Sequence, residues 1–208
     1  MRVYIAPRYS RGMLFAIKCM EEKVVVGVMG ARGSFTEQAA QKYLAEANIA
    51  EAEIKPLVEI NAVLEAVTTD AVDVGVFAIQ NSLSGIVHSS MHGMSKHTFE
   101  IIDFFEIEID QNLLVLPGTT AAQIEKIVSQ RPALDQCQAH LARAWEGIAQ
   151  EEYVDTAKAA ADLANGTLDA TTGVVASARC AEIYNLEVLE ASIQDLKHNY
   201  TTFVAVRK

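Results

Sequence analysis

Short apolar runs in this chain repeatedly end in polar turns that lead into helical spacing, and that alternation leaves few folds open. "VVVGVM" at 24–29 gives way to "GARGSFTEQAA" at 30–40. "VDVGVFAI" is followed by "QNSLSGIV", and "TGVVAS" by "ARCAEIYN". A short apolar run without polar alternation suits a strand buried on both faces, which needs helices on both sides. The pattern therefore predicts α/β layers. "EIKPLV", "LEVLEASI" and "TTFVAV" read as further strands. In "INAVLEAVTTD", Ile60, Val63, Leu64 and Val67 fall on one helical face. Helices are also expected near 120–129, 133–146 and 156–165. The strand-rich segment 99–116 reads as a crossing between two lobes, with the last strand returning to the first. Lobe 1 is then about 24–98 plus 190–208 and lobe 2 about 99–189, with a ligand cleft between them.

Charge narrows the partners. The 208 residues carry a formal charge of −10, which disfavours nucleic acid and anionic membrane but not a small anion held at a local positive site. Cys19, Cys137 and Cys180 are widely spaced and odd in number, so neither a disulfide framework nor a zinc site is expected, as suits the cytoplasm. No run approaches the roughly 18 apolar residues of a membrane span. Residues 1–23, with Arg2, Arg8, Arg11 and Lys18, read as an extension outside the core domain 24–208, with Met20 as an alternative translation start.

The turns are where chemistry could sit. Ser34 and Glu37 fit the S-x-x-E capping box, and a helix N-terminus so capped can also hold an anion. Asn81 and Ser82 follow a strand and precede Gly85; Asp155 or Thr156 opens a helix that Gly166 closes; Ser177 ends a strand. Each alone is an ordinary cap. Their shared place at strand ends carries more weight, because ligands of α/β folds sit outside the carboxyl ends of strands. His198, Asn199, Thr201 and Thr202 form a polar cluster before the last strand.

Taken in order, Gly30–Ala40, Asn81–Val87, Ala133–Cys137 and Asp195–Phe203 resemble the catalytic domain of prephenate dehydratase, from about Val24 to the end of the chain. The resemblance implies a two-lobed fold of the type II periplasmic-binding-protein kind. It also implies conversion of prephenate to phenylpyruvate, with loss of water and carbon dioxide, in phenylalanine biosynthesis. No cofactor or metal is implied; a homodimer or higher oligomer is. The family's Thr-Arg-Phe motif maps onto Thr201-Thr202-Phe203, so Thr201 is the expected donor to the leaving hydroxyl. Ser34, Phe35, Asn81, Ser82, Leu83, Gly85, Thr156, Ser177, Asn199, Thr202 and Phe203 are the expected substrate-binding residues. The ACT regulatory domain that commonly follows in this family has no counterpart in these 208 residues.

This chain departs from the pattern at several places. Thr202 stands where the family has arginine, Gln80 where it has glutamate, and Gln130 where it has histidine. Ser90, His92 and Ala31 replace a threonine, an aspartate and a proline. Loss of the arginine removes a cation and a bidentate carboxylate clamp, for which Arg32, Lys197 or His198 are the candidate replacements. Three alternatives stay open beside the dehydratase: a non-aromatising prephenate decarboxylase, an arogenate dehydratase, and a binding module without catalysis.

Overall fold

A computed structural model describes residues 23–208, so the extension, Lys23 apart, lies outside the described residues. In chain order the elements are β1 (Val24–Met29), α1 (Phe35–Glu46), β2 (Ala52–Val58), α2 (Ile60–Thr68), β3 (Val74–Asn81), β4 (Gly85–Ile86), α3 (His88–Met94), β5 (Glu100–Glu108) and β6 (Asn112–Val115). A 3₁₀ turn (Ala121–Gln123) follows, then β7 (Lys126–Ser129), α4 (Arg131–Gln136), α5 (Gln138–Ala144), β8 (Ala149–Glu152), α6 (Thr156–Ala164), β9 (Thr172–Ala176), α7 (Ala178–Tyr184), β10 (Glu187–Glu190) and β11 (Tyr200–Arg207).

These strands form two sheets. The larger runs β2-β1-β3-β11-β5, with β4 paired to β3; the smaller runs β10-β6-β9-β7-β8. β1, β2 and β3 are parallel, and β11 inserts antiparallel between β3 and β5. In β1, Val24, Val26 and Val28 are fully buried and belong to the core under α1 with Tyr43, Phe105 and Phe203. Ile60, Val63, Leu64 and Val67 are all buried on the other face, against Phe77, Val204 and Val206. The smaller sheet has its own two layers: Trp145, Leu134 and Leu141 on one side, and the alanines of α6 with Leu163 on the other.

Three expectations change. β5 pairs with β11 along its whole length, so the crossing falls between Glu108 and Asn112 rather than near residue 99. The helix expected at 120–129 is a single 3₁₀ turn followed by β7, whose Ile127 and Val128 are buried between β8 and β9. The helix expected at 133–146 is two short helices that meet at Cys137 (φ −111°, ψ 9°), outside helical geometry. Among the described residues, no helix is long and apolar enough to cross a membrane.

Candidate functional site

The two sheets face each other across a cavity of about 600 Å³. Its walls come from the ends of β1, β3 and β11, from the first turns of α1 and α6, and from α4. The first N–H groups of a helix have no partner within the helix and carry its positive dipole end. Ser34, Phe35 and Thr36 bring one such end to the cavity, and Asp155 and Thr156 the other.

Thr201 lies on the cavity wall and is 8% exposed. Its Oγ1 accepts a hydrogen bond from Asn81 Nδ2 at 2.9 Å. That bond fixes the hydroxyl's role. One of its two lone pairs is engaged, and its own proton meets no acceptor among the described residues, so it is left to donate.

The orientation of Asn81 is set by backbone groups. Its Oδ1 accepts from the N–H of Leu83 and of Ser84, both at 2.9 Å. Since a backbone N–H can only donate, Nδ2 must point the other way, to Thr201 Oγ1 and to Asn199 Oδ1 at 2.7 Å. The polarity then propagates. Asn199 Nδ2 donates to Gln136 Oε1 at 2.9 Å, as does Gln111 Nε2 at 3.0 Å, and Gln136 Nε2 donates to Ser84 Oγ at 3.0 Å. Four carboxamides from four segments thus join the larger sheet to the smaller one. The network ends at Gln111 Oε1, a buried acceptor that meets no donor among the described residues. Sequence reading missed Gln111 and passed over Gln136, which it quoted only as part of a motif.

The turn at Gly30–Ser34 does more than line the cavity. Ser34 Oγ caps α1 by accepting from Glu37 N–H at 3.3 Å, and Glu37 reaches back to Gly33 N–H, one residue beyond the standard capping box. Gly33 (φ +88°) then offers its carbonyl to the Ser177 hydroxyl at 2.8 Å. Arg32 offers its carbonyl to Tyr184 Oη at 2.7 Å. A Cβ at Gly33 would lie 3.0 Å from Cys180 Sγ. The turn is therefore a clasp between the lobes, and Ser177, expected in the pocket, works in the clasp and as the cap of α7.

Ser34, Phe35, Asn81, Gly85, Thr156, Thr201 and Phe203 come together around the cavity. Five others expected there do not line it. Asn199 is fully buried in the carboxamide network. Ser82 is exposed and pins β11 to β3, its Oγ accepting from Tyr200 N–H at 2.9 Å. Leu83 is exposed and only its N–H takes part. Thr202 sits on the opposite face of β11 from Thr201, because side chains alternate along a strand. There it lies between Gln80 and Glu106 and donates to Glu106 Oε1 at 2.9 Å. Arg32, Lys197 and His198 are exposed and none lines the cavity.

Charge at the cavity is unexpected. Its ionisable lining, among the described residues, is Glu59, His88 and Asp155, with no lysine or arginine. Burial pushes the Asp155 carboxyl up, against the backbone N–H groups of Lys158, Ala157 and Ala31 that favour its charge. The two described thiols are disfavoured as thiolates by the same logic: burial lifts Cys137 to about 12 and Cys180 to about 11.

Comparison with known proteins fits this geometry. The family described as "Prephenate dehydratase" matches residues 26–208. An Arabidopsis thaliana protein named arogenate dehydratase/prephenate dehydratase 6 is 32% identical over 183 residues, covering 88% of this chain and 43% of that protein. Arogenate dehydratase 1 of Petunia hybrida is 31% identical, covering 88% and 42%. This chain therefore spans about two fifths of the length of these relatives. Among solved structures, a prephenate dehydratase from Arthrobacter aurescens in complex with L-Phe superposes with a TM-score of 0.79 at 24% identity, covering 89% of this chain and 60% of that one. A protein described as a novel type of quorum-quenching acylase gives 0.73 at 23%, covering 88% and 64%. These two likenesses establish the fold, and two such different descriptions on one fold leave the chemistry to the site.

Proposed function

The chain belongs to the prephenate dehydratase family, and on that footing we propose that it removes carbon dioxide and water from prephenate in the cavity between its sheets. The observation that carries the reading is Thr201: a cavity-lining hydroxyl whose oxygen already accepts from Asn81 and whose proton is left to donate. Loss of the ring carboxylate as carbon dioxide sends an electron pair into the ring, which becomes aromatic as the hydroxyl departs. A donor held at that oxygen stabilises the developing charge and needs no reorganisation. A threonine is too weak an acid to give up its proton outright, so it acts by hydrogen bonding or by passing on a proton drawn from solvent. The N-terminus of α1, which reaches the cavity at Ser34, Phe35 and Thr36, suits one substrate carboxylate, whereas that of α6 is already met by the Asp155 carboxylate.

A second reading of the substrate is favoured by one observation. A cavity edged by Glu59 and Asp155 without lysine or arginine suits an α-ammonium better than a keto group. Arogenate is the amino counterpart of prephenate, and the reaction at the ring is the same. The decarboxylase alternative loses most of its ground, since Gln80 and Thr202 stand off the cavity; of the charge-altering departures only Gln130 lines it. A cytoplasmic location and a homodimeric or larger assembly belong to this same proposal, the latter readable by light scattering.

The deciding experiment incubates the protein with prephenate and, separately, arogenate, and identifies products by NMR. Phenylpyruvate or phenylalanine is the expected product. A dihydro-hydroxyphenylpyruvate would replace this reading with the decarboxylase, and binding with unchanged substrate would replace it with the module.

A further inference from the structure

Five non-glycine residues among those described have a positive φ: Asn48, Asp70, Asn185, Ser192 and Val58. Four are small and polar, and asparagine and aspartate are the side chains that tolerate this region best. Val58, at φ +63°, is the exception. A β-branched side chain there crowds its own backbone, which makes it a true outlier.

The local geometry explains why a positive φ is needed. β2 ends at Val58 and α2 begins at Ile60, so a single residue links strand to helix. The Glu59 N–H donates to the Leu57 carbonyl at 2.7 Å, closing a γ-turn with Val58 at its centre. With φ positive this is the rare, strained form rather than the common inverse one. Gly30 N–H donates to the Val58 carbonyl at 2.8 Å and ties the turn to the clasp.

The tight link does not explain the valine. Glycine would take the same backbone without crowding. A valine in an awkward conformation is ordinarily held by the burial of its side chain, yet Val58 is 49% exposed. What it does is line the cavity, in company with the apolar Met29, Phe35 and Ile86.

We infer that Val58 is a substrate-contacting residue: the strained turn holds its isopropyl group at the cavity wall, where it packs against the six-membered ring of bound substrate. Backbone strain that side-chain burial does not offset in the free protein is then balanced by a contact completed on binding, the pattern in which strain persists at functional sites. The identity of the ring rests on the function proposed above; the strain does not.

The test uses the full chain with two substitutions. Val58→Gly relieves the backbone and removes the apolar contact, while Val58→Thr keeps the branched shape and alters only its polarity. Thermal unfolding is measured without ligand, and steady-state kinetics with prephenate and with arogenate. Val58→Gly is expected to raise the midpoint by about 2–6 °C. It also raises KM roughly fivefold or more with kcat little changed, as for contact made equally in ground and transition states. Val58→Thr is expected to raise KM while leaving the midpoint where it was. No rise in midpoint for Val58→Gly would overturn the strain, and an unchanged KM in both variants would overturn the contact. If the unsubstituted chain turns over neither substrate, the functional reading itself has failed; the contact fails with it, and the unfolding arm still decides the strain.

Discussion

Thr201 and Thr202 are neighbours on one strand and carry the same hydroxyl, yet the two faces of β11 on which they stand do different work. On the cavity face, Thr201 is buried, oriented by Asn81, and joined through Asn199 and Gln136 to the other sheet. On the outer face, Thr202 lies between Gln80 and Glu106, and its hydroxyl donates to Glu106. The comparison reinterprets two departures from the family pattern. Glutamate at 80 and arginine at 202 would face each other directly across paired strands. Their joint replacement by Gln80 and Thr202 removes both halves of one cross-strand charge pair and takes nothing from the cavity. The expectation that the missing arginine deprives the substrate of a carboxylate clamp is therefore withdrawn.

The sharpest way to break this contrast is Thr201→Ala. It is expected to lower kcat by about 10²-fold or more with modest change in KM, measured by phenylpyruvate formation; near-normal turnover would leave the cavity face with no more chemistry than the outer one. Asn81→Ala comes next. Leaving Thr201 and Asn199 without their shared donor should reduce kcat roughly tenfold and stability by about 2 kcal/mol, read from urea unfolding. A stability loss with unchanged kcat would make the network purely structural. Ser177→Ala tests the clasp. Loss of a cap and one interlobe hydrogen bond should cost about 1 kcal/mol of stability, with KM within about twofold. The smallest effect is expected from Thr202→Arg, an exposed pairing with Glu106 of low value that leaves kcat and KM within about twofold. A tenfold tighter KM would show that residue 202 reaches substrate after all.

Much of the fold was legible because its buried strands are unbroken apolar runs. Val24–Met29 and Thr172–Ala176 could be little else, and the stripe from Ile60 to Val67 is a one-sided helix. What escaped lacks a local signal. β8 reads Ala-Gln-Glu-Glu and is exposed throughout, so only its pairing with β7 makes it a strand. α3, "HSSMHGM", contains weak helix formers and packs on α2 where Gly93 brings the backbones together, a Cβ there meeting Ile60 at 2.8 Å. In the site, capping residues at strand ends were visible because their position has a sequence signature. The carboxamide network had none. Asn81 and Asn199 are 118 residues apart, and Gln111 and Gln136 look like any surface glutamines until the lobes close on them. The Thr202 error came from treating a motif as a contiguous patch, when a strand sends alternate residues to opposite sides.

The position of β11 has a consequence for how the protein is made. It lies between β3 and β5, and the partners Thr202 and Glu106 are 96 residues apart. While the ribosome extends through the whole smaller sheet, β3 and β5 must wait with two unsatisfied edges, a state open to wrong pairing. The smaller lobe, continuous in sequence, can fold as it emerges; the larger one is completed late, after a long loop has closed. The strand that completes this sheet carries Thr201, so the cavity wall stays unfinished until β11 pairs, and the same step covers both waiting edges.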